Sequence, residues 1–118
     1  MTTVVILPLA ATEQHGPHLP FSTDVDIGQG ILAAALAALP GERRPTVLPM
    51  VEVGASEEHR SFPGTQSVTS RELVDGIVRT GVEVAESGCR RMILSNSHGG
   101  NRFAMEEAGL RLRREQGM

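Results

Sequence analysis

The sequence predicts an α/β fold with three layers, α/β/α, built around a mostly parallel sheet. Short β-branched runs alternate with longer amphipathic segments along the chain, an order typical of parallel strands joined by right-handed helical crossovers. Each β-branched run is followed by a polar cluster that contains histidine. The 118 residues contain no internal repeat, low-complexity tract or linker, so we expect one domain spanning residues 1–118.

The first strand and the first helix are predicted in the N-terminal third of the chain. "VVILPL" (4–9) is a continuous β-branched run, which is the pattern of a strand buried on both faces. A helix is expected at about 24–39, because Pro40 and Gly41 would end it. The helix residues predicted to face the core are Ile27, Ile31, Ala34, Ala35 and Ala38.

The second strand and helix follow in the middle of the chain. "TVLPMVEV" (46–53) is interpreted as a strand, although Pro49 weakens its interior or places it near a sheet edge. A helix is expected at about 70–87, because Thr69 and Glu72 have the spacing of a capping box and Gly88 suits its end. Its predicted apolar stripe consists of Leu73, Val74, Ile77, Val78, Val82 and Ala85.

The third strand is predicted at "RMILSN" (91–96), and the last helix at about 101–115. The residues of that helix available for the core are Phe103, Ala104, Ala108 and Leu112. Because Trp and Tyr are absent and only three Phe occur, the core is expected to be mainly aliphatic.

Composition and charge narrow the classes of function. A net charge of −3 with mixed signs argues against nucleic acid or an anionic membrane as the main partner. No segment has the length of a bilayer span, and the N-terminus lacks the basic start of a signal peptide. The single cysteine, Cys89, excludes an internal disulfide and suits a reducing compartment. These features predict a cytoplasmic protein.

Polar clusters follow all three strands, namely "ATEQHGPH", "GASEEHRSFPGT" and "SNSHGGN". Ligands of open parallel sheets bind beyond the carboxyl ends of the strands, so these loops should converge. Glu13, His15, Asp24 and His98 provide two carboxylates and two imidazoles, a set suited to Zn²⁺, Mn²⁺ or Fe²⁺. Glu13 and His15 are two residues apart, which directs both side chains to the same side of an extended segment.

The residues of these polar clusters also admit interpretations other than a metal site. Asp24 could be a helix N-cap, and Glu13 and His15 could be solvated loop residues, but their combination with "SHGGN" favours a metal site. His18 is either a group that orients a ligand or substrate, or a simple loop histidine. A flavodoxin-like binding domain would use the same sheet, yet neither G-x-x-x-x-G-K-[ST] nor G-x-G-x-x-G occurs.

Three segments together resemble the creatininase (creatinine amidohydrolase) family: "PLAATEQHGPHLPFSTDVDI", "EVGASEEHRSFPGTQSV" and "LSNSHGGN". The resemblance implies an α/β sheet covered on both sides, with two divalent metal ions at the strand ends and amide hydrolysis in small, often cyclic or formylated substrates. It also implies that Glu13, Asp24 and His98 ligate one metal, and that His15 and a bridging Asp24 ligate the second. Ser56 and His59 are expected to line the substrate side.

Two departures from the family pattern qualify that resemblance. Creatinine-hydrolysing members carry a glutamate ligand at the position of Gly100. Members with "HGGN" instead take a carboxylate from a later motif; they include formamide deformylases and the peptidase of mycofactocin maturation, and this chain resembles them more. Family members also run to roughly twice this length, so the sheet is expected to be incomplete, and no catalytic residue is assigned in this chain.

The expected function is therefore metal-dependent hydrolysis of a cyclic amide, formamide or small peptide-like C–N bond by a metal-activated water. The implied partners are a small amide substrate and, from the resemblance, further copies of the chain in a homo-oligomer. The alternative is a truncated or split half-domain that binds metal without catalysis. The 118-residue chain alone is expected to self-associate, to hold at most one metal tightly and to show little amidase activity.

Overall fold

The computed structural model describes residues 3–118 as three parallel strands and three α-helices. In chain order these are β1 (Val5–Leu9), α1 (Thr23–Ala37), β2 (Thr46–Val47), α2 (Ser70–Glu86), β3 (Met92–Asn96) and α3 (Arg102–Gln116). The strand order in the sheet is β2-β1-β3. Val5 pairs with both Thr46 and Met92, and Leu9 pairs with Asn96, so the carboxyl ends of β1 and β3 lie side by side.

The helices lie on both sides of the sheet. α1 connects β1 to β2, whereas α2 returns across β1 to reach β3 on the other edge. Right-handed crossovers in opposite directions place their helices on opposite faces of a sheet. α3 packs against α2, which gives two helices on one face and one on the other. The α/β fold class predicted from the sequence is confirmed.

The principal core lies between the sheet and the pair formed by α2 and α3. It is aliphatic, as expected, and its buried members are Leu7, Leu9, Ala55, Leu73, Val74, Ile77, Val78, Ala104, Ala108 and Leu112. The predicted capping box forms at the start of α2: the Glu72 amide donates to Thr69 Oγ1 at 3.1 Å, and the Thr69 amide donates to Glu72 Oε1 at 3.0 Å. This cap fixes where α2 begins.

The second predicted strand is shorter than 46–53, because only Thr46 and Val47 belong to β2. The chain nevertheless continues beside β1: the Leu48 amide donates to Ile6 O at 2.9 Å, and the Val51 amide donates to Pro8 O at 2.9 Å. The register slips by one residue between Leu48 and Val51, and Pro8 of β1 has no N–H to donate on this side of the ladder, so the regular strand ends at Val47. The segment therefore still delivers the following loop to the carboxyl edge of the sheet.

Two predictions about core residues were wrong. The face of α1 predicted to be buried is exposed, with Ile27 at 49% and Ile31 at 66%; Val25, Gly28, Leu32 and Leu36 form the more buried face instead. Because α1 is apolar around most of its circumference, the pattern did not single out one face. Phe103 is 76% exposed, since it lies on the side of α3 away from Ala104, Ala108 and Leu112, under the Arg102 guanidinium.

Several apolar surfaces remain open on this chain. Ile93 on the edge strand β3 is 50% exposed, and a concavity of about 940 Å³ lies between β2 and α2, lined in part by Leu48, Val84 and Cys89. Within residues 3–118, no helix combines the length and apolar character needed to cross a membrane. The expected self-association of the isolated chain stays a prediction.

Candidate metal centre

Glu13, Asp24 and His98 meet at the carboxyl edge of the sheet, and all three are buried. Glu13 lies in the loop after β1, Asp24 in the first turn of α1, and His98 just beyond β3. One ligand atom from each lies within 4.8 Å of the others. His98 Nδ1 is 2.8 Å from Asp24 Oδ2 and 3.3 Å from Glu13 Oε1. These three side chains therefore surround a point where one cation would fit.

His15 joins the cluster from the other side of Asp24. Its Nε2 atom lies 3.0 Å from Asp24 Oδ1, and its Nδ1 atom lies 2.9 Å from the backbone carbonyl oxygen of Glu13. The two carboxylate oxygens of Asp24 consequently face different histidines, Oδ1 towards His15 and Oδ2 towards His98. This is the arrangement that a carboxylate bridging two cations would need.

Backbone carbonyls determine which nitrogen of each neutral imidazole carries the proton. A carbonyl oxygen only accepts hydrogen bonds, so His15 donates from Nδ1 to Glu13 O, and His98 donates from Nε2 to Ala55 O at 3.0 Å. The unprotonated nitrogens are then Nε2 of His15 and Nδ1 of His98. Nε2 of His15 is directed at Asp24 Oδ1, and Nδ1 of His98 lies 2.8 Å from Asp24 Oδ2 without the alignment of a hydrogen bond. Such close approach of unprotonated nitrogens to a carboxylate is unfavourable unless a cation or a proton lies between them.

Asp24 Oδ2 provides a second indication that the cluster fits a cation. It is buried and has no hydrogen-bond donor among the described residues, although His98 Nδ1 is only 2.8 Å away. A buried carboxylate oxygen without a partner is costly, and a divalent cation would satisfy it. Two carboxylates with two imidazoles are also a donor set that suits Zn²⁺.

The pKa of His15 is raised above its usual value of 6.5. The main cause is the hydrogen bond to the Glu13 backbone carbonyl; the Asp24 carboxylate adds to it, and burial of the ring opposes it. Both a proton and a metal ion would occupy Nε2, so they compete for the same lone pair. Cation binding through His15 should therefore weaken as the pH falls through this raised pKa.

Ser56 and His59, predicted to line the substrate side, both contact the cluster. Ser56 is fully buried, with Oγ 3.4 Å from His98 Nε2. His59 is partly exposed, and its Nδ1 lies 2.9 Å from Glu13 Oε2, which leaves Oε1 of Glu13 facing His98. The role of these two residues in binding a substrate stays a prediction. The contact between His59 and Glu13 had no signal in the sequence beyond the proximity of polar loops.

Other residues singled out in the sequence lie near the cluster but do not add a ligand to it. His18 is exposed and forms no hydrogen bond or ion pair with the four clustered side chains in residues 3–118. Gly100 has no room for a side chain, because a Cβ atom there would clash with the Ala55 carbonyl oxygen and lie 2.5 Å from His98 Nε2. A second group of potential ligands, Glu13, Glu58 and His59, shares Glu13 with the first.

Comparison with known proteins identifies the family of the chain. The sequence profile of the creatininase family, described as creatinine amidohydrolase, matches residues 1–118. The chain belongs to the creatininase family. This creatininase-family chain is 38% identical over 117 residues to the mycofactocin precursor peptide peptidase of Mycolicibacterium smegmatis, in an alignment that covers 98% of the chain and 47% of the relative. It is 35% identical over 120 residues to the creatinine amidohydrolase of Pseudomonas putida, covering 93% and 43%.

Solved structures share the fold. A mutant creatininase described as of Zn–Zn type superposes with a TM-score of 0.79 at 29% identity, covering 98% of this chain and 46% of that one. The family resemblance predicted from the three motifs is confirmed, together with the fold. The chain spans about half the length of the relatives that it matches.

Proposed function

We propose that this chain forms the metal-binding part of a creatininase-family amidohydrolase that hydrolyses the C–N bond of a small amide. The observation that carries the proposal is the Asp24 carboxylate, whose two oxygens face the unprotonated nitrogens of His15 and His98. Glu13 adds a second buried carboxylate beside His98. The donor set and its burial support a site for two divalent cations, with Zn²⁺ the best fit and Mn²⁺ or Fe²⁺ also compatible.

The residues of this chain would have distinct roles in such a site. Asp24 would bridge, Glu13 and His98 would complete one cation's ligands, and His15 would serve the other. When bound, the cations would supply an activated water and polarise the substrate carbonyl. His59 donates a hydrogen bond to Glu13 Oε2 and would so orient that carboxylate, while its partly exposed ring would face a substrate.

A peptide-like or formamide substrate is favoured over creatinine. The relative at 38% identity carries the name of a peptide peptidase, and Gly100 leaves no space for a carboxylate ligand at its position.

We further propose a cytoplasmic location, since the lone buried Cys89 is unpaired. A homo-oligomer is also proposed, since the exposed apolar face of α1 would be covered by assembly.

A non-catalytic half-domain is the second candidate. The second cation would have only His15 and Asp24 as ligands from the described residues, whereas catalytic zinc sites usually have three protein ligands.

An assay of the chain loaded with Zn²⁺ or Mn²⁺ tests the choice between the two candidates. The substrates are a formamide, creatinine and a short peptide, and Asp24→Asn is the control variant. We expect slow, metal-dependent hydrolysis of the peptide or formamide that is lost in Asp24→Asn. Tight metal binding without hydrolysis of any of the three substrates would instead establish the half-domain.

A further inference from the structure

Asn101 is completely buried where the three strand-end segments meet. Its Oδ1 accepts a hydrogen bond from the Ala55 amide at 2.9 Å, and its Nδ2 donates to the Ala10 carbonyl oxygen at 2.9 Å. Ala10 follows β1, Ala55 belongs to the loop after β2, and Asn101 itself follows β3. One side-chain amide therefore connects the segments that follow all three strands, two of which carry the candidate ligands Glu13, His15 and His98.

The orientation of this amide is determined by its partners. Oδ1 faces the Ala55 N–H, and Nδ2 faces the Ala10 carbonyl oxygen. In a flipped amide, Nδ2 would face the Ala55 N–H and Oδ1 would face the Ala10 carbonyl oxygen, and neither pair can form a hydrogen bond. Nδ2 also donates to Asn96 Oδ1 at 3.2 Å, and the Asn101 backbone amide donates to His98 O at 3.1 Å. A buried polar network whose members are all satisfied has one well-defined geometry.

The backbone of Ala55 transmits this geometry to His98. Its N–H is bound by Asn101, and its carbonyl oxygen accepts the hydrogen bond from His98 Nε2 at 3.0 Å. That bond keeps the proton on Nε2 and leaves Nδ1 unprotonated, 2.8 Å from Asp24 Oδ2. Asn101 thus acts on His98 without contacting the ring nitrogens itself.

Two glycines make the close approach possible. A Cβ atom at Gly54 would lie 2.5 Å from Asn101 Oδ1 and would also clash with the Ala10 carbonyl oxygen. A Cβ atom at Gly100 would lie 2.5 Å from His98 Nε2. Both positions therefore admit only glycine while the amide of Asn101 and the ring of His98 keep their places.

We propose that Asn101 is a positioning residue that presets the metal-binding tautomer of His98 through the backbone of Ala55. The inference rests on the proposed metal site, but the tautomer can be measured without metal. Orienting partners of metal-ligating histidines typically change metal affinity by about 10–100-fold when they are mutated. Asn101 has this effect through one intervening residue, whose N–H it binds and whose carbonyl oxygen His98 binds.

The test uses Asn101→Asp, which keeps an acceptor for the Ala55 amide but places a carboxylate oxygen against the Ala10 carbonyl. Thr12→Val is the matched control, since Thr12 Oγ1 donates to the Glu52 carbonyl oxygen at 2.8 Å and its loss weakens a contact between the segments after β1 and β2 without touching Ala55. Imidazole ¹⁵N chemical shifts of the metal-free 118-residue chain report the His98 tautomer, and titration with Zn²⁺ reports affinity.

We expect the Nε2–H tautomer in the unsubstituted chain and in Thr12→Val. In Asn101→Asp we expect mixed tautomers and an affinity for Zn²⁺ lower by about 10–100-fold. An Nδ1–H tautomer in the unsubstituted chain overturns the proposal even if the variant does not fold. An unchanged tautomer in Asn101→Asp, or an equal loss of affinity in Thr12→Val, overturns it as well. Absence of Zn²⁺ binding in the unsubstituted chain would contradict the proposed function instead, because the tautomer is read separately.

Discussion

Asp24→Asn should abolish tight binding of divalent cations, whereas Asp26→Asn should leave it unchanged. Asp24 is buried and faces both histidines, so the substitution removes the charge that would balance two cations. Asp26 is exposed and its carboxylate accepts a hydrogen bond from Ser22 Oγ at 2.9 Å, which makes it a matched control two residues away. The loss should exceed the roughly 10–100-fold seen for residues that only orient a ligand.

Equilibrium dialysis against Zn²⁺ followed by elemental analysis measures this effect. His15→Ala should retain one cation, held by Glu13, Asp24 and His98, and so should be milder than Asp24→Asn. The metal-free Asp24→Asn chain should be no less stable to urea than the unsubstituted chain. The substitution removes the negative charge of a buried carboxylate, one oxygen of which has no hydrogen-bond donor. An unchanged metal stoichiometry in Asp24→Asn would refute the bridge.

Gly100→Ala should both destabilise the fold and displace His98, while Gly99→Ala should do neither. The added methyl would meet the backbone carbonyl of Ala55 and the ring of His98, whereas a Cβ atom at Gly99 has no heavy atom within 4 Å. Overpacking in a well-packed interior typically costs about 1–3 kcal/mol, and the carbonyl cannot move without disturbing its hydrogen bond to His98.

Urea unfolding and Zn²⁺ titration of the two alanine variants measure these losses separately. We expect a lower free energy of unfolding and weaker Zn²⁺ binding only for Gly100→Ala. Identical behaviour of the two variants would show that His98 tolerates a side chain at position 100, and that the glycine there does not exclude a carboxylate ligand.

Residue patterns were sufficient to predict most of the architecture. The capping box at Thr69 and the apolar stripe of α2 were correct, since both depend on local spacing alone. The buried face of α1 was wrong, because Ala-rich sequence leaves the facing direction to tertiary packing. β2 was predicted too long because a sequence pattern does not show where the register between two strands slips, as it does between Leu48 and Val51.

The proximity of the four candidate ligands was predicted from the sequence, but the contacts that hold them in place were not. Glu13, His15, Asp24 and His98 could be grouped because the carboxyl ends of parallel strands share one edge of the sheet. Two contacts were not predicted: the hydrogen bond from His98 to the Ala55 carbonyl oxygen, and the hydrogen bonds of the Asn101 side chain to Ala10 and Ala55. Both depend on the path of an irregular loop. Backbone acceptors carry no residue-type signal, so the sequence does not show which nitrogen of each histidine faces a carbonyl oxygen.

Anomalous diffraction from crystals of the Zn²⁺-loaded protein tests the central claim most directly. The account predicts a zinc ion at about 2.0–2.2 Å from Glu13, Asp24 and His98, with Nδ1 as the ligand atom of His98. A zinc ion held instead by Glu58 and His59, or one coordinated through Nε2 of His98, would contradict it.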